Sequence, residues 1–203
     1  MSIMRYPLWK RSCDITGGAL GFFLMCVLFP FISLAIIIED GFPVFVKLDR
    51  VSEGKIIKVW KFRTMVRGAH EKKKELEKMN ERSDGPLFKI RHDPRVTRAG
   101  RVLRRLRVDE MPQFINVLLG EMALVGPRPH EPGEVEKYPE EYKKITFARA
   151  GITGLSQVSG ASSLAFQKEL ELDAHYTEHT SFFLDMKIIF KTIKILFFDP
   201  TGV

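Results

Sequence analysis

The longest apolar run of the sequence lies near its start. From Ile15 to Ile38 no side chain carries a charge, and leucine, isoleucine, phenylalanine, valine and methionine dominate. A helix over these residues would be about 36 Å long, which exceeds the hydrocarbon thickness of a bilayer, about 30 Å. The pattern therefore predicts a membrane-embedded helix.

Pro30 lies inside this run, where it removes one backbone hydrogen bond and clashes with the preceding turn. The residues alone leave two interpretations open. The helix crosses the membrane with a mild kink, as many proline-containing helices do, or it breaks and returns to the face that it entered. Arg5, Lys10 and Arg11 favour a cytoplasmic start. The basic remainder of the chain favours the cytoplasm as well, which supports the second interpretation.

A second apolar stretch, Phe182 to Phe198, carries lysines at positions 187, 191 and 194. This spacing puts the lysines on one stripe of a helix and leaves the other faces apolar. Such a helix suits the membrane interface, with its lysines among anionic headgroups. A core helix with one solvated stripe has the same pattern.

Between these stretches, strands are few. Val44 to Val46 and Ile56 to Trp60 read as short strands on either side of a polar turn, Ser52 to Gly54. Ala69 to Arg82 mixes charges of both signs, which is typical of a solvated helix or loop. The pattern predicts an α+β fold that is mostly helical. We divide it into a basic flank with the membrane helix, residues 1–43, and a catalytic domain with interfacial helices, residues 44–203.

Charge narrows the choice of partners. The chain of 203 residues has a net charge of +7, and seven arginines crowd the segment from Arg91 to Arg107. Arginine matches phosphate with a bidentate fork. A nucleic acid, an anionic lipid surface and a phosphorylated substrate would all suit such a segment. Aromatic residues for base stacking do not interleave with the arginines, which disfavours nucleic acid.

An acidic pair, Asp109 and Glu110, follows the arginines and precedes the apolar run Phe114 to Leu119, which ends at Gly120. Asp109 reads as the N-cap of a helix over this run, with Pro112 in its first turn and Gly120 just beyond its end. The functional interpretation uses the same geometry, because a helix N-terminus attracts phosphate. One carboxylate would attack or bind metal, and its neighbour would orient or deprotonate a second reactant.

Two prolines flank Arg128 in the segment Gly126 to Pro129. A fixed backbone lowers the entropy that the arginine loses when it clamps an oxyanion. A surface turn is the alternative, and it explains the prolines better than it explains the arginine. His175 and His179 have the i, i+4 spacing of a metal pair. Because no third ligand accompanies them, we interpret them as surface histidines.

Taken in order, these segments resemble the bacterial sugar transferase family, the monotopic phosphoglycosyl transferases. The matching segments are Lys61 to Met65, Asp93 to Gly100, Asp109 to Val117, Gly120 to Met122, Val125 to Pro129 and Gly151 to Gln157, with Asp173, Tyr176 and Asp185. They cover nearly the whole chain. The length resembles that of minimal members, which lack extra membrane helices and a nucleotide-fold domain.

The resemblance implies a re-entrant helix broken near Pro30 and a catalytic domain on the cytoplasmic face of the bacterial inner membrane. It implies that a sugar 1-phosphate passes from a UDP-sugar to polyprenyl phosphate in two steps, with release of UMP. Asp109 would attack the sugar-bearing phosphate and bind Mg²⁺, and Glu110 would assist the second step. Arg128, Lys61, Arg63 and Arg104 are the expected phosphate contacts. The partners would be the two substrates and the bilayer, without nucleic acid, and a homo-oligomer is left open.

The chain departs from the family pattern at three positions. Phe29 precedes Pro30 where relatives often carry serine, Arg107 replaces a small polar residue, and Ala161 stands where arginine is common. We expect these changes to affect the membrane helix and substrate specificity more than the chemistry. Two readings without catalysis compete with the enzyme: a membrane-tethered nucleic-acid binder, and a scaffold for polysaccharide assembly that would not need Asp109 or Glu110.

Overall fold

A computed structural model of the chain describes residues 6–73, 75–160 and 163–198. Arg5 and Ala161, both used in the sequence analysis, lie outside the described residues, as does position 74 of the predicted solvated segment. Helix α1, Leu8–Asp40, contains the apolar run and is, among the described helices, the one long and apolar enough to cross a membrane. The predicted membrane helix is therefore present.

Helix α1 continues through Pro30 without an interruption. The expected break is thus not a gap in the helix, because an internal proline removes one hydrogen bond without ending the helical segment. The ring of Phe29, next to the proline, stacks on those of Phe45 and Phe62, with centroids 5.5 and 6.3 Å away. These aromatic contacts hold the helix against the strands that contain Phe45 and Phe62, directly before the proline. The return of the chain to its face of entry stays a prediction.

One face of α1 is buried along its whole length, and the opposite face is not. The buried residues recur at helical spacing: Lys10, Asp14, Gly18, Gly21, Met25, Ile32, Ser33 and Ile36. Leu20, Phe23, Phe31 and Ile38 on the outer side are largely exposed. Gly21 lets the ring of Phe114 approach the helix backbone, since a Cβ at that position would overlap the ring. The helix therefore lies along the rest of the protein instead of leaving it.

The predicted hairpin is confirmed, with longer strands than the sequence indicated. Strand β1, Phe45–Ser52, pairs antiparallel with β2, Lys55–Phe62, and Ser52 faces Lys55 across the turn. The two turn residues, Glu53 and Gly54, have φ angles of 50° and 70°. Positive φ at both central positions defines a type I′ turn, whose twist matches that of the strands.

The segment predicted to be solvated, residues 69–82, forms turns and the short 3₁₀ helices Glu71–Lys73 and Glu77–Met79. Helix α2, Arg98–Arg105, follows, and Thr97 caps it by accepting a hydrogen bond of 2.9 Å from the amide of Gly100. A 3₁₀ turn, Val108–Glu110, then leads into helix α3, Gln113–Leu119.

Asp109 is not the N-cap of α3, contrary to the sequence interpretation. It lies inside the 3₁₀ turn, and the helix begins only after Pro112. The turn is closed by a hydrogen bond from the amide of Met111 to the carbonyl of Val108, so Asp109 precedes the helix by a full turn. Gly120, with φ of 83°, ends the helix as predicted.

The remaining elements follow α3 in the chain and include a short parallel pair of strands. Strand β3, Ala123–Val125, pairs in parallel with β4, Gly151–Thr153. Between them lie helix α4, Pro132–Val135, and the 3₁₀ helix Glu140–Phe147. After β4 come α5, Leu155–Val158, α6, Phe166–Glu178, and α7, Phe182–Phe198. These elements complete an α+β fold with few strands, as predicted.

Helix α1 shares a hydrophobic core with the elements that carry the acid pair. Met25, Ile32 and Ile36 pack in one cluster with Phe62 of β2 and Met111, next to the acid pair. Helix α7 packs through Asp185 and Ile188, while Lys187 and several phenylalanines face outward. The outer face of α7 is therefore basic and aromatic at once.

Candidate active site

The acid pair lies on the 3₁₀ turn after α2. Arg107 enters the turn in the left-handed region, with φ of 55°, which redirects the backbone between the two helices. Asp109 is 7% exposed, whereas the Glu110 side chain is 36% exposed. The neighbouring carboxylates therefore meet different surroundings, as the sequence analysis expected.

Lys61 of β2 joins the acid pair. Its Nζ lies 2.6 Å from Oε1 of Glu110. The strand is held beside α3 by the buried Asn116, which accepts a hydrogen bond of 3.1 Å from the amide of Trp60 and donates one of 2.9 Å to the carbonyl of Lys58. This cross-link sets the distance between Lys61 and the acids.

The two acids have opposite pKa shifts. The pKa of Asp109 is raised to about 6, mainly by burial. Lys61 and Arg104 lower this pKa, and the charge of Glu110 adds to the rise. The pKa of Glu110 is lowered: burial opposes this, but the charge and hydrogen bond of Lys61, assisted by Arg128 and Arg107, outweigh it. Glu110 thus stays ionised at neutral pH. Asp109 is also ionised there, but its pKa is close enough to neutral pH for a bound charge to change its protonation.

Arg128 lies between Pro127 and Pro129, directly after β3. Its amide donates a hydrogen bond of 3.1 Å to Oδ2 of Asp173, and its Nε lies 3.7 Å from Oε1 of Glu169. The side chain is 43% exposed, and its charge contributes to the low pKa of Glu110. Arg128 therefore lies within electrostatic reach of Glu110, and its contact with phosphate stays a prediction.

Arg104 of α2 reaches the same region from the other side. Its Nε donates a hydrogen bond of 2.9 Å to Oγ1 of Thr64, just beyond β2. Burial lowers the pKa of Arg104, and the charges of Asp109, Asp93 and Glu110 oppose this only in part. Arg104 is therefore within electrostatic reach of Asp109.

Arg63 has a different environment from the other predicted phosphate contacts. Its guanidinium donates to the carbonyls of Asp40, Gly41 and Phe42 and lies 3.2 Å from the Asp40 carboxylate. The side chain is 6% exposed. These contacts hold the end of α1 against β2, so the structure gives Arg63 a structural position and does not bring it to the acid pair.

The sequence comparisons assign the chain to a family. The family model described as bacterial sugar transferase matches residues 5–199. The chain belongs to the bacterial sugar transferase family. Named relatives agree with this assignment. The chain is 39% identical over 189 residues to the galactosyl transferase CpsE of Streptococcus agalactiae, covering 92% of this chain and 42% of that protein.

Two further relatives differ in how much of their length this family member spans. The identity to the exopolysaccharide production protein ExoY of Rhizobium meliloti is 36% over 188 residues, covering 91% of this chain and 83% of ExoY. The identity to the UDP-glucose:undecaprenyl-phosphate glucose-1-phosphate transferase of Escherichia coli is 37% over 195 residues, covering 92% and 39%. The chain therefore spans most of ExoY but about two fifths of the other two relatives.

The sequence analysis of this sugar transferase family member missed one basic residue near the acids. Arg50 of β1 is mostly buried and lies 3.4 Å from Glu131. Burial lowers the pKa of Arg50, whereas the charges of Glu131 and Glu134 raise it. Arg128 and Glu110 affect this pKa as well, so Arg50 lies within electrostatic reach of the site. A lone arginine in a strand gives no local signal, because only the fold brings it near Glu110.

The acid pair has the ligand chemistry that Mg²⁺ prefers. Carboxylate oxygens are hard ligands, and protein-bound Mg²⁺ is commonly held by one or two carboxylates together with substrate phosphates. Among the described residues, no group of three or more histidines, cysteines and acids forms a complete cage. His175 and His179 stack on each other, with ring centroids 4.3 Å apart. Asp109 and Glu110 therefore fit a magnesium ion that arrives with a phosphorylated substrate.

Proposed function

We propose that this protein is a phosphoglycosyl transferase that moves a sugar 1-phosphate from a UDP-sugar to a polyprenyl phosphate. The observation that carries the proposal is the acid pair with opposite pKa shifts, surrounded by Lys61, Arg104 and Arg128. A reaction between two phosphates needs a nucleophile, a second carboxylate that stays ionised, and several cations. The name of the Escherichia coli relative specifies this type of transfer.

In the first step, a carboxylate oxygen of Asp109 attacks the sugar-bearing phosphorus of the donor. An Asp109–phosphorus bond forms, the diphosphate P–O bond breaks, and UMP leaves with the electron pair. Burial favours attack because it strips water from the carboxylate, while Lys61 and Arg104 keep the group ionised. Arg128 approaches the site from the β3 side and balances charge on the phosphates.

In the second step, a phosphate oxygen of the polyprenyl carrier attacks the same phosphorus and displaces the Asp109 carboxylate. The product is a polyprenyl diphosphate sugar, and the free acid pair is restored. Glu110, held in place by Lys61, accepts the proton of the acceptor phosphate or orients it. Asp109 would hold Mg²⁺, which when bound supplies positive charge against the crowded phosphates.

The two steps solve an electrostatic problem. Donor and acceptor are both anionic and repel each other, so direct transfer requires both phosphates in one small space. A covalent intermediate lets the UMP part leave before the acceptor reacts. The site has positive side chains on several elements, β2, α2 and the loop after β3, which suits this sequence of two anionic ligands.

The contacts of α1 support a re-entrant membrane helix. Near its start, Lys10 lies 2.5 Å from Asp185, and Arg11 donates to the carbonyls of Val117 and Leu118. Near its end, Glu39 accepts hydrogen bonds from the first amides of α2, Arg98 and Ala99. Both ends are thus tied to one catalytic domain whose charged residues avoid hydrocarbon. We infer that both ends face the cytoplasm.

Two further surfaces suit contact with the bilayer interface. The outer face of α7 exposes Phe183, Phe190 and Phe197 beside its lysines. Val102 of α2 and Leu106, directly after the helix, are exposed among arginines. Apolar side chains next to cations are typical of helices that lie in the headgroup region. These surfaces would place the acid pair close to the phosphate of a membrane-bound carrier.

The covalent intermediate gives the direct test. The purified protein is incubated with Mg²⁺ and a panel of UDP-sugars, without carrier lipid, and its intact mass is measured. We expect a gain equal to one sugar phosphate, lost as lipid-linked product when polyprenyl phosphate is added. The gain should be absent in Asp109→Asn and after chelation of Mg²⁺. Normal lipid product without any adduct in rapid-quench samples would contradict Asp109 as the nucleophile.

Glu110→Gln serves as the matched variant in that experiment. If Glu110 assists the second step, this variant should still form the adduct but release it slowly to the carrier. A scaffold would need neither acid. Full glycan assembly in cells that carry only the Asp109→Asn variant would therefore refute the proposed catalysis.

A further inference from the structure

Two buried acids of α6 hold Arg128 from behind. Glu169 and Asp173 are one helical turn apart, and each is 2% exposed. Asp173 accepts the hydrogen bond from the Arg128 amide, and the Glu169 carboxylate lies beside the Arg128 Nε at 3.7 Å. The first contact fixes the backbone between the two prolines, and the second reaches the guanidinium itself.

Glu169 is a carboxylate in a positive environment. Besides Arg128, its oxygens lie 3.5 Å from Nε2 of His130 and 3.8 Å from a terminal nitrogen of Arg82. Arg82 is already paired with Asp84 at 2.8 Å and donates to the carbonyl of Leu164. Burial works to raise the pKa of Glu169, but His130, Arg128 and Arg82 together lower it, so the group stays ionised.

A contact through Nε has a consequence for the rest of the guanidinium. The five N–H groups of arginine lie in a rigid plane, so an ion pair at one edge sets the direction of the two terminal nitrogens. Within the described residues, Glu169 is the acid that lies at ion-pair distance from Arg128. The Arg128 side chain is still 43% exposed, and it acts on Glu110. The exposed part of the guanidinium is thus available to a ligand that binds within electrostatic reach of Glu110.

We propose that Glu169 is a positioning residue that orients the guanidinium of Arg128, so that its free fork receives the donor diphosphate. The inference rests on the proposed function, because the diphosphate belongs to the UDP-sugar. Glu169 acts through Arg128 and does not touch substrate. A buried charge on α6, about 40 residues further along the chain, thereby contributes to donor binding.

The experiment compares Glu169→Gln with Glu171→Gln. Glu171 lies on the same helix but pairs with Lys168 at 2.8 Å, so its variant controls for the loss of one acid from α6. Binding of UDP is measured by titration calorimetry, and KM and kcat are measured with UDP-glucose and UDP-galactose. For Glu169→Gln we expect UDP binding weaker by about tenfold and KM raised similarly, as for loss of a charge-assisted contact. Glu171→Gln should stay within about twofold of wild type on the same scale.

A double-mutant cycle separates positioning from a merely structural role. In an Arg128→Lys background, which lacks the planar fork, Glu169→Gln should weaken UDP binding by no more than about twofold further. An equal tenfold loss in both backgrounds would overturn the inference, since Glu169 would then act without Arg128. Unchanged UDP binding in Glu169→Gln would overturn it as well.

Two measures keep this test separate from folding and from the proposed function. If Glu169→Gln does not fold, Glu169→Asp is used instead, because it keeps the charge but shortens the side chain. We expect it, too, to weaken UDP binding only when Arg128 is present. If wild-type protein binds UDP but makes no lipid product with any sugar, the proposed function fails. UDP binding by the variants then still decides the role of Glu169.

Discussion

Lys61 sets the charge of the acid pair from a distance of 2.6 Å to Glu110. Replacing it by methionine keeps much of the side-chain volume and removes the cation. The pKa of Glu110 should rise, because burial would no longer be opposed by Lys61. We expect kcat/KM to fall roughly 10- to 100-fold, the range for a lost charge-assisted hydrogen bond, measured with the sugar donor that the wild-type protein uses.

Lys58→Met is the matched control for that variant. Lys58 lies on the same strand, and its amine pairs with Asp49 at the surface. Its carbonyl bond to Asn116 does not depend on the side chain. Lys58→Met should keep activity within about twofold of wild type, as for other exposed ion pairs. Equal losses of activity in Lys61→Met and Lys58→Met would contradict a specific role of Lys61, because the activity would then depend only on the net charge of the protein.

Single residues differ in how well the sequence predicted their position. Asp109, Glu110, Lys61 and Arg128 belong to recognisable motifs, and Arg104 lies between two of these motifs. The structure brings Lys61, Arg104 and Arg128 within electrostatic reach of the acid pair. Arg63 belongs to the same motif as Lys61, yet it binds carbonyls at the end of α1. Those carbonyls lie more than 20 residues upstream, so no local pattern could pair them with Arg63. Glu169 gave no signal because its partner, too, is distant in the sequence.

Among the elements, the short parallel pair β3–β4 fixes the backbone directly before Arg128. The amide of Gly126 donates to the carbonyl of Thr153, and the amide of Gly151 donates to that of Pro127, both at 2.9 Å. A Cβ at Gly126 would overlap the carbonyl of Arg149 and lie 2.7 Å from the amide nitrogen of Gly151. Backbone atoms on both sides leave little room for adjustment.

Gly126→Ala should therefore destabilise the protein and lower its activity. Forced overpacking costs about 1–3 kcal/mol, which corresponds to a drop of roughly 2–12 °C in the thermal midpoint. Gly133→Ala in α4 is the control, because a Cβ there meets nothing within 4 Å. Thermal unfolding in detergent, followed by circular dichroism, compares the two. A midpoint for Gly126→Ala equal to that of Gly133→Ala would contradict this account.

Elements with a local signal were predicted better than those without one. The turn at Glu53 and Gly54 marks the hairpin in the sequence, and Gly120 marks the end of α3. The start of α3 was wrong because a 3₁₀ turn, Val108–Glu110, imitates the beginning of a helix. Strands β3 and β4 have three residues each, too few for an alternating pattern.

At the scale of the whole molecule, the topology of α1 can be tested with single cysteines. In a Cys13→Ser/Cys26→Ser background, Ser12→Cys and Phe42→Cys place one thiol at each end of the helix, both at exposed positions. A re-entrant helix predicts that a membrane-impermeant maleimide labels both thiols in inverted vesicles and neither in intact spheroplasts. Labelling of the two thiols from opposite sides would establish a spanning helix.

The shared core of α1 and the acid pair has a consequence for biosynthesis. Met25, Ile32 and Ile36 leave the ribosome well before Leu103 and Met111, with which they pack. A growing chain folds from its N-terminal part onward, so the apolar helix meets the translocation machinery while the acid pair is still unsynthesised. The active site would then be assembled against a helix already in the lipid. Folding of the acid pair's surroundings would thus depend on prior insertion of α1.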